Sequence, residues 1–338
     1  MELYCAMDLH ANNTLIGLSD ENDKRIVNCR MENKLELILR KLEPYRESIV
    51  GIAVESTYNW YWLVDGLREA GYKVHLVNTS AVKQYEGLKF SDDSTDAFWL
   101  AHLLRLKILP EGYIYPKEER GVRDLLRKRM ALVQQHTANV LSVENILTRN
   151  TGVQVNSNDI KKLEIEELES LIKDQNILRA ITSSLSVMSC LAKEIREIEL
   201  MVKSQVKLKP EFQKLRTVDG IGNILALTIM LETGDIGRFP EVGNYSSYCR
   251  CVGSNKLTNG KKKGKGNTKN GNRYLAWAYI EAANFAVRYN DRAKSFYQRK
   301  CSKTTRVVAI KAVAHKLARA CFHIMHDHVD FEDKRAFA

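Results

Sequence analysis

Short apolar runs and longer amphipathic stretches alternate through the N-terminal part of the chain. Runs rich in β-branched and aromatic residues predict strands, and apolar residues three and four positions apart predict helices. The predicted strands are 3–10, 13–20, 24–30, 49–56 and 73–78. The predicted helices are 32–45, 58–71 and a short one around Val82. Pro44 and Gly71 end the two longer helices, because proline interrupts a helix and glycine favours the left-handed residue that follows one.

The order of these elements indicates the fold of this part. The first three strands follow one another through short turns, as in an antiparallel meander. Segment 49–56 is apolar almost throughout, as expected for a parallel strand buried on both faces. The order β-β-β-α-β-α-β-α is that of the ribonuclease H-like (RuvC-like) α/β fold. We therefore expect residues 1–116 to form one such domain.

Long helices with a narrow apolar stripe are predicted between 117 and 208. The helical segments are 118–149, 160–174 and 178–206. Their apolar residues recur at three- and four-residue spacing amid abundant charge, which is the pattern of a helical hairpin or coiled coil. Two uses of these helices stay open: self-association of two chains, or packing on the rest of the same chain.

The remaining residues, 209–338, combine a glycine turn, a basic segment and two amphipathic helices. Gly220 and Gly222 separate two apolar helical segments within 215–239, which is the pattern of a helix-hairpin-helix element. Such glycines let the backbone approach a phosphate, and the next helix offers its amide groups. Segment 254–273 is so rich in Gly, Asn and Lys that it predicts a loop. The expected helices are 273–290 and 304–325.

The charge of the chain indicates which class of partner it binds. The net charge is +11 at pH 7 and the isoelectric point is near 9.2. Eight Lys or Arg and no acid occur from Arg250 to Arg273, whereas acids gather in 157–174. This uneven distribution favours a nucleic-acid face over a merely basic surface. The residues expected to contact phosphates are Lys261, Lys262, Lys263, Lys265, Lys269 and Arg273.

Several classes of protein are disfavoured by the same sequence. No apolar run is long enough to span a membrane, and the start lacks the basic and apolar regions of a signal peptide. Seven cysteines without CxxC pairs argue against a disulfide framework or a zinc ribbon. An actin-like sugar kinase would need glycine-rich phosphate loops, which the N-terminal half lacks. We expect a protein of the reducing cytoplasm.

Two carboxylates stand where strands are predicted to be buried. Asp8 lies on the first strand and Glu55 ends the fourth, where an acid has no packing role. Because the first and fourth strands of a ribonuclease H-like sheet are neighbours, we expect the two side chains to lie together. Adjacent carboxylates repel, and burying them is costly, unless a divalent cation binds between them. Oxygen ligands of this kind suit Mg²⁺ or Mn²⁺.

Three aspartates crowd the start of the apolar helix predicted within 89–105. Asp93 and Asp96 share a helix face at i and i+3, as Asp92 and Asp96 do at i and i+4. Helix capping is the alternative, because Asp is a favoured N-cap residue and the positive end of a helix tolerates a second acid. A cap needs only one acid, so the two carboxylates on the neighbouring strands favour a metal site.

Together these motifs resemble the DEDD transposases of insertion-sequence family 110 and its 1111 subgroup, with the related Piv-like invertases. The matching segments, in order along nearly the whole chain, are MDLH (7–10), AVES (53–56), KFSDDSTDA (89–97), LRTVDGIGNILALTIMLETGDIGRFP (215–240) and TNGKKKGKGNTKNGNRYL (258–275). The resemblance implies a catalytic, metal-binding tetrad of Asp8, Glu55, Asp93 and Asp96. Asp92 then keeps the capping role.

The same resemblance implies a hydroxyl nucleophile in the C-terminal part. In this family a serine ahead of the basic glycine-rich run works with the tetrad, which implies a covalent protein–DNA intermediate. The matching letters here are TNGK, so Thr258 takes the place of the serine. A threonine hydroxyl is a nucleophile, although its methyl group crowds an in-line attack at phosphorus. Ser254, or no nucleophile at all, stays open as an alternative.

The resemblance implies a transposase that excises and inserts a mobile element by metal-dependent cleavage and exchange of DNA strands. The implied partners are donor and target DNA, an element-encoded structured RNA that bridges them, and further copies of the chain, as a dimer and as a tetramer in the synaptic complex. It would act at the nucleoid of a bacterium or archaeon. Residues 1–116 would be the catalytic domain, 117–208 the coiled-coil region and 209–338 the C-terminal transposase domain. The alternatives are a hydrolytic nuclease or junction resolvase, and a nucleic-acid-binding protein without catalysis.

Overall fold

The computed structural model of the chain describes residues 1–82, 93–160, 162–163, 165–206, 210–253, 255–265 and 270–338. These residues form two compact units, Met1–Lys117 and Glu118–Ala338. The three-part division at 116 and 208 stays a prediction. None of the helices within the described ranges is long and apolar enough to cross a membrane.

A mixed sheet forms the centre of the first unit. Its strands are β1 (Leu3–Leu9), β2 (Asn13–Asp20), β3 (Arg25–Glu32), β4 (Ile49–Glu55) and β5 (Val74–Val77). Among the described residues their order is β3-β2-β1-β4-β5; β1 and β3 are antiparallel to β2, while β4 is parallel to β1 and β5. The strand predictions are confirmed, and this mixed sheet is consistent with a ribonuclease H-like fold.

Helices cover the sheet on both faces. They are α1 (Leu35–Leu42), α2 (Tyr61–Glu69), α3 (Thr79–Val82) and α4 (Asp93–Arg105). Successive residues of a strand point to opposite faces. Accordingly Cys5 and Met7 pack in the cluster that includes α1 and α2, whereas Tyr4 and Ala6 pack with Leu100 of α4. Because both faces are covered, β1 is buried along its whole length.

The second unit is almost entirely helical. Its elements are α5 (Lys117–Thr151, beginning at the division between the units), α6 (Ser157–Ile160), α7 (Ile165–Leu171), α8 (Gln175–Val206), α9 (Pro210–Leu215), α10 (Asn223–Thr233), α11 (Val242–Tyr248), β6 (Asn255–Thr258), β7 (Lys261–Lys265), α12 (Arg273–Tyr289), α13 (Asp291–Cys301), α14 (Arg306–His326) and α15 (Asp333–Ala336). The helix predicted over 160–174 corresponds to the shorter α7, and its first residue, Ile160, ends α6.

The long helices α5 and α8 pack on each other within the chain. Val143 of α5 and Ile181 of α8 are buried in one apolar cluster. The Arg129 guanidinium of α5 lies 2.6 Å from the Glu199 carboxylate of α8. The apolar stripes are therefore used, at least in part, inside the chain, and self-association through these helices stays a prediction.

Helix α13 is a helix that the sequence pattern did not predict. Its residues are strongly charged, and Ala293 and Phe296 are the ones buried, so no apolar stripe marks it. The signal that was present is the N-cap: the Asn290 side chain accepts a hydrogen bond of 2.8 Å from the Ala293 amide.

The basic segment 254–273, predicted as a loop, contains the antiparallel hairpin β6–β7. Asn259 and Gly260 connect the strands with positive φ values of 49° and 70°. Positive φ at both central residues is what a type I′ turn requires, and Asn-Gly is the pair that favours it. The strands themselves lack alternating apolar residues, which is why the pattern indicated a loop.

Candidate active site and nucleic-acid interface

Asp8 is a buried carboxylate at the C-terminal end of β1. Only 5% of the residue is exposed, and it follows Tyr4 and Ala6 on the face of the sheet that α4 covers. The His10 Nε2 atom lies 3.4 Å from the Asp8 Oδ2 atom. A carboxylate in this position is expensive to bury, so Asp8 stays a candidate site residue on the grounds of its burial.

Glu55 ends β4 beside Asp8. The parallel register of β1 and β4 pairs Met7 with Val54, so Glu55 stands one step further along, at the level of Asp8. Ala53, two residues earlier, packs in the cluster that includes α4, so Glu55 belongs to the same face. Sheet topology therefore brings Asp8 and Glu55 to one end and one face, as predicted.

Helix α4 begins at that same end of the sheet. A side chain at Gly17 of β2 would place its Cβ 3.2 Å from the Cβ of Ala97, so the start of α4 lies directly on the sheet. At the other end, Leu104 lies close to Gly51 near the beginning of β4. Asp96 is partly buried in the first turn of α4, so it lies on the part of the helix nearest the strand ends that carry Asp8 and Glu55.

The described residues do not assemble a complete metal site. No group of three or more His, Cys, Asp or Glu within the described ranges is close enough to hold an ion. The side chains of Asp92 and Asp93 lie outside those ranges, although Asp93 is the first residue of α4. The donor set itself fits a divalent cation, because it consists of carboxylate oxygens and includes the buried Asp8.

A network of amide side chains holds the loops beside Asp8 and Glu55. The Asn59 Nδ2 group donates to the His10 carbonyl oxygen at 3.1 Å, and the Asn33 Nδ2 group donates to the same oxygen at 3.0 Å. The Thr57 hydroxyl donates to the Asn59 Oδ1 atom at 2.9 Å. The chain that follows β1 is thereby tied to the chains that follow β3 and β4, which restrains the ends of the strands that carry the acids.

The predicted glycine turn lies in the second unit, between α9 and α10. Gly220 has a φ of 92°, and a Cβ there would lie 2.4 Å from the Ala282 carbonyl oxygen of α12. Its lack of a side chain is therefore required by helix packing, independently of any ligand. A Cβ at Gly222, which precedes α10, would meet no atom within 4 Å. Only Gly222 thus leaves open space for a phosphate, and both nucleic-acid roles stay predictions.

The basic residues lie on and after the β6–β7 hairpin. Thr258 is exposed at the end of β6, immediately before the turn, and Lys261 and Lys263 are exposed on β7. Arg273 begins α12, where its guanidinium donates to the Tyr274 hydroxyl at 2.9 Å. The positions outside the described residues or side chains are Ser254, Lys262, Lys265 and Lys269.

A buried polar cluster anchors the end of this basic segment. The Asn272 Oδ1 atom accepts from the Tyr274 amide at the start of α12, and its Nδ2 group donates to Glu232 at 2.7 Å. Arg127 of α5 donates to both Glu232 oxygens, at 2.6 and 2.8 Å. The Arg250 guanidinium, before the hairpin, donates to the Gly271 carbonyl oxygen after it. The end of the segment is therefore fixed to the helical core, and the chain before the hairpin is tied to that end.

Comparison with known proteins decides the family. The model described as "Transposase IS116/IS110/IS902 family" matches residues 212–298, and an IS110 DEDD transposase model, described as "Transposase", matches residues 5–150. The chain belongs to the IS110 family of DEDD transposases. The acids Asp8, Glu55, Asp93 and Asp96 fall within the N-terminal match, and Thr258 falls within the C-terminal match.

Two similar proteins carry transposase names. One is "Probable family 20 transposase" of Pseudomonas aeruginosa, 22% identical over 288 residues, covering 81% of this chain and 83% of the relative. The other is "Putative transposase y4qE" of Sinorhizobium fredii, 23% identical over 268 residues, covering 77% of this chain and 65% of the relative. DNA is the partner that family membership implies, and DEDD transposases generally use divalent metal ions.

The sequence patterns did not reveal the residues that support the candidate site residues of this IS110-family transposase. Asn33 and Asn59 follow predicted strands, so a search for polar residues just after strand ends would have found them. Asn272 stands directly before a predicted helix, which is the signal of an N-cap. Arg127 and Glu232 had no such signal, because each looks like an ordinary charged residue of a long helix.

Proposed function

We propose that this transposase excises and inserts a mobile element by cutting and exchanging DNA strands, with Asp8, Glu55, Asp93 and Asp96 as the metal-binding tetrad. The observation that carries the proposal is the placement of Asp8, Glu55 and the start of α4 at one end and one face of the sheet. The site would take Mg²⁺ or Mn²⁺, which would neutralise charge on the attacked phosphate and on the leaving oxygen.

Thr258 would act as the nucleophile. Its hydroxyl oxygen would bond to a DNA phosphorus, lose its proton, and displace the oxygen of the adjacent nucleotide, which takes up a proton. The hydroxyl of a new DNA end would then attack the same phosphorus and release the threonine. Exposure of Thr258 at the tip of a hairpin supports this role, because the hydroxyl is accessible to a polymer there.

The basic residues of the hairpin would hold the nucleic acid. Exposed Lys261 and Lys263, with Lys262, Lys265, Lys269 and Arg273, would neutralise phosphates. Gly222 would admit a phosphate to the amide groups of α10, beside Gly220. The resemblance adds four further parts to the proposal. An element-encoded RNA would bridge the two DNAs, and a dimer would become a tetramer in the synaptic complex. The protein would belong to the 1111 subgroup and act at a bacterial or archaeal nucleoid.

The test is strand exchange by purified protein with donor and target DNA, RNA transcribed from the flanks of the gene, and Mg²⁺ or Mn²⁺. Thr258→Ala should form no covalent protein–DNA adduct, because the attacking oxygen is gone, whereas Thr258→Ser should retain the adduct. The measurement is a labelled-DNA adduct on a denaturing gel. Thr217→Ala is the control, since Thr217 is an exposed threonine of the same unit whose hydroxyl only donates to the Lys214 carbonyl.

Each other result identifies an alternative. An adduct that survives in Thr258→Ala but not in Ser254→Ala would place the nucleophile at Ser254. Metal-dependent cleavage without any adduct in the unsubstituted protein would indicate a hydrolytic nuclease or resolvase. Binding without metal-dependent cleavage would leave a nucleic-acid-binding protein and would contradict the tetrad.

A further inference from the structure

A cavity of about 570 Å³ lies beside the glycine turn of the second unit. One wall is the turn itself and the start of α10, from Val218 to Leu225. The other wall is formed by Phe285 and Tyr289 of α12. We call Phe285 and Tyr289 the aromatic pair. The proposed transposition chemistry makes no use of the aromatic pair.

The two rings of the aromatic pair are exposed and nearly parallel. Phe285 is 39% exposed and Tyr289 is 74% exposed. They stand one helical turn apart, with ring centroids 6.5 Å apart and ring planes only 8° from parallel. Two aromatic rings left in water contribute little to the core, so their shared orientation is the feature that needs an explanation.

The aromatic pair is held on a rigid support. The adjoining side of α12 is buried through Ala282 and Ala286, which approach the backbone of Gly220 so closely that no side chain fits between them. Directly after Tyr289, the Asn290 side chain donates to Asp219 of the turn at 2.8 Å. The turn and the end of α12 are therefore one packed surface, and the Asp219 carboxylate is engaged in it.

The rim of the cavity favours negative charge. Arg216 lines it, and the Arg288 guanidinium lies 5.9 Å from the centre of the Phe285 ring. The first residues of α10 line the cavity, and the N-cap Gly222 offers no side chain to accept from their amides. The cavity thus combines open aromatic faces with Arg216 and the first residues of α10 along the same lining.

We propose that the aromatic pair stacks on an unpaired base of single-stranded DNA whose adjoining phosphate lies at the Arg216 side of the cavity. Stacking requires an open base face, which duplex DNA does not offer within its helix, whereas every single-stranded base does. An apolar protein partner would fit the rings but not the cationic rim. The inference rests on the proposed function for its choice of DNA, the polymer that a transposase opens into single strands.

The experiment measures binding of a fluorescent single-stranded DNA, the same sequence as duplex, and the same sequence as single-stranded RNA to the full chain. Tyr289→Ala and the double variant with Phe285→Ala should weaken the binding of single-stranded DNA by about 5- to 150-fold, from a stacking contribution of about 1–3 kcal/mol per base, and leave the binding of the duplex unchanged. Tyr289→Trp should retain binding. Val307→Ala, 76% exposed in the same unit, is the control and should change nothing.

A base analogue reports stacking directly. Single-stranded DNA carrying 2-aminopurine should lose fluorescence on binding to the unsubstituted protein and to Tyr289→Trp, but not to the double alanine variant. Equal weakening of single-stranded and duplex DNA, or no weakening, would overturn the inference. The choice of DNA would be overturned if single-stranded RNA bound more tightly than single-stranded DNA and lost as much affinity in the alanine variants. If strand exchange fails while these binding differences persist, the proposed function is contradicted. The aromatic pair then remains a site for single-stranded DNA.

Discussion

Asp8→Asn is expected to abolish metal-dependent DNA cleavage while leaving the first unit folded. Asp8 is 5% exposed at the end of β1, beside the end of β4 that carries Glu55. Asn has nearly the same shape but no charge, so it replaces the proposed charged ligand with a much weaker neutral one without opening a cavity. Removing residues that merely support a ligand costs about 10–100-fold in metal affinity or activity, so loss of the ligand itself should exceed about 100-fold.

The cleavage rate is measured together with stability. Mn²⁺ should raise the thermal midpoint of the unsubstituted protein and not that of Asp8→Asn, because an ion that binds only the folded state stabilises it. Without metal the variant should be at least as stable, since a buried charge has been removed. Cleavage by Asp8→Asn at the rate of the unsubstituted protein would remove Asp8 from the tetrad.

Asp20→Asn is the matched control. Asp20 is also a buried aspartate of the sheet, 7% exposed at the end of β2. Its Oδ1 atom accepts hydrogen bonds from the Asn22 and Lys24 amides at 2.8 and 2.9 Å. The Oδ1 atom of Asn serves equally well there, so cleavage should be retained in this variant.

Arg127→Leu is expected to destabilise the second unit by about 3 kcal/mol, the lower end of what breaking a buried ion pair costs. Glu232 is 3% exposed and would keep only the hydrogen bond from Asn272. Burial works against the charge on Arg127, but the hydrogen bonds and charge of Glu232 outweigh it and raise the pKa of the guanidinium. Chemical denaturation measures the free energy of unfolding. Hydrogen exchange of peptides from α10 and α12 then shows whether these helices open more readily.

Two further variants separate the ion pair from simple loss of a side chain. Arg127→Leu with Glu232→Gln should recover most of the stability, because the amide is uncharged and still accepts from Asn272. Arg129→Leu, on the same helix, should cost less than about 1 kcal/mol, because its partner Glu199 reaches solvent with 34% of its side chain exposed. Equal losses of unfolding free energy in Arg127→Leu and Arg129→Leu would show that the burial of Glu232 is not what makes the Arg127 variant unstable.

The first unit was largely predictable because its elements have strong local patterns. Strands such as 49–56 are marked by continuous apolar residues, and Asp8 and Glu55 stand out because acids interrupt those runs. Helix α13 was not predictable from periodicity, since its burial is confined to Ala293 and Phe296. The β6–β7 hairpin was marked only by Asn259-Gly260, within a segment whose composition indicated a loop.

The sequence marked the candidate acids but not the residues that support the strand ends around them. Asp8, Glu55 and Asp96 were identified from their positions at strand ends and a helix start. The sheet places Asp8 and Glu55 at one end, where α4 also begins. The hydrogen bonds from Asn33 and Asn59 that tie those ends together depend on loops far apart in the chain. Their geometry follows from the sheet order, which no single segment encodes.

By itself the sequence determined where the strands, the acids and the basic segment occur, because apolar periodicity, strand ends and charge runs are properties of neighbouring residues. Only the tertiary structure decided that Gly220 must be a glycine to admit α12, that Arg127 and Glu232 meet in the core, and that Phe285 and Tyr289 remain in solvent beside the glycine turn. Each of these depends on which distant segments pack together. Burial and close contact arise from that packing, whereas local spacing specifies only the elements that pack.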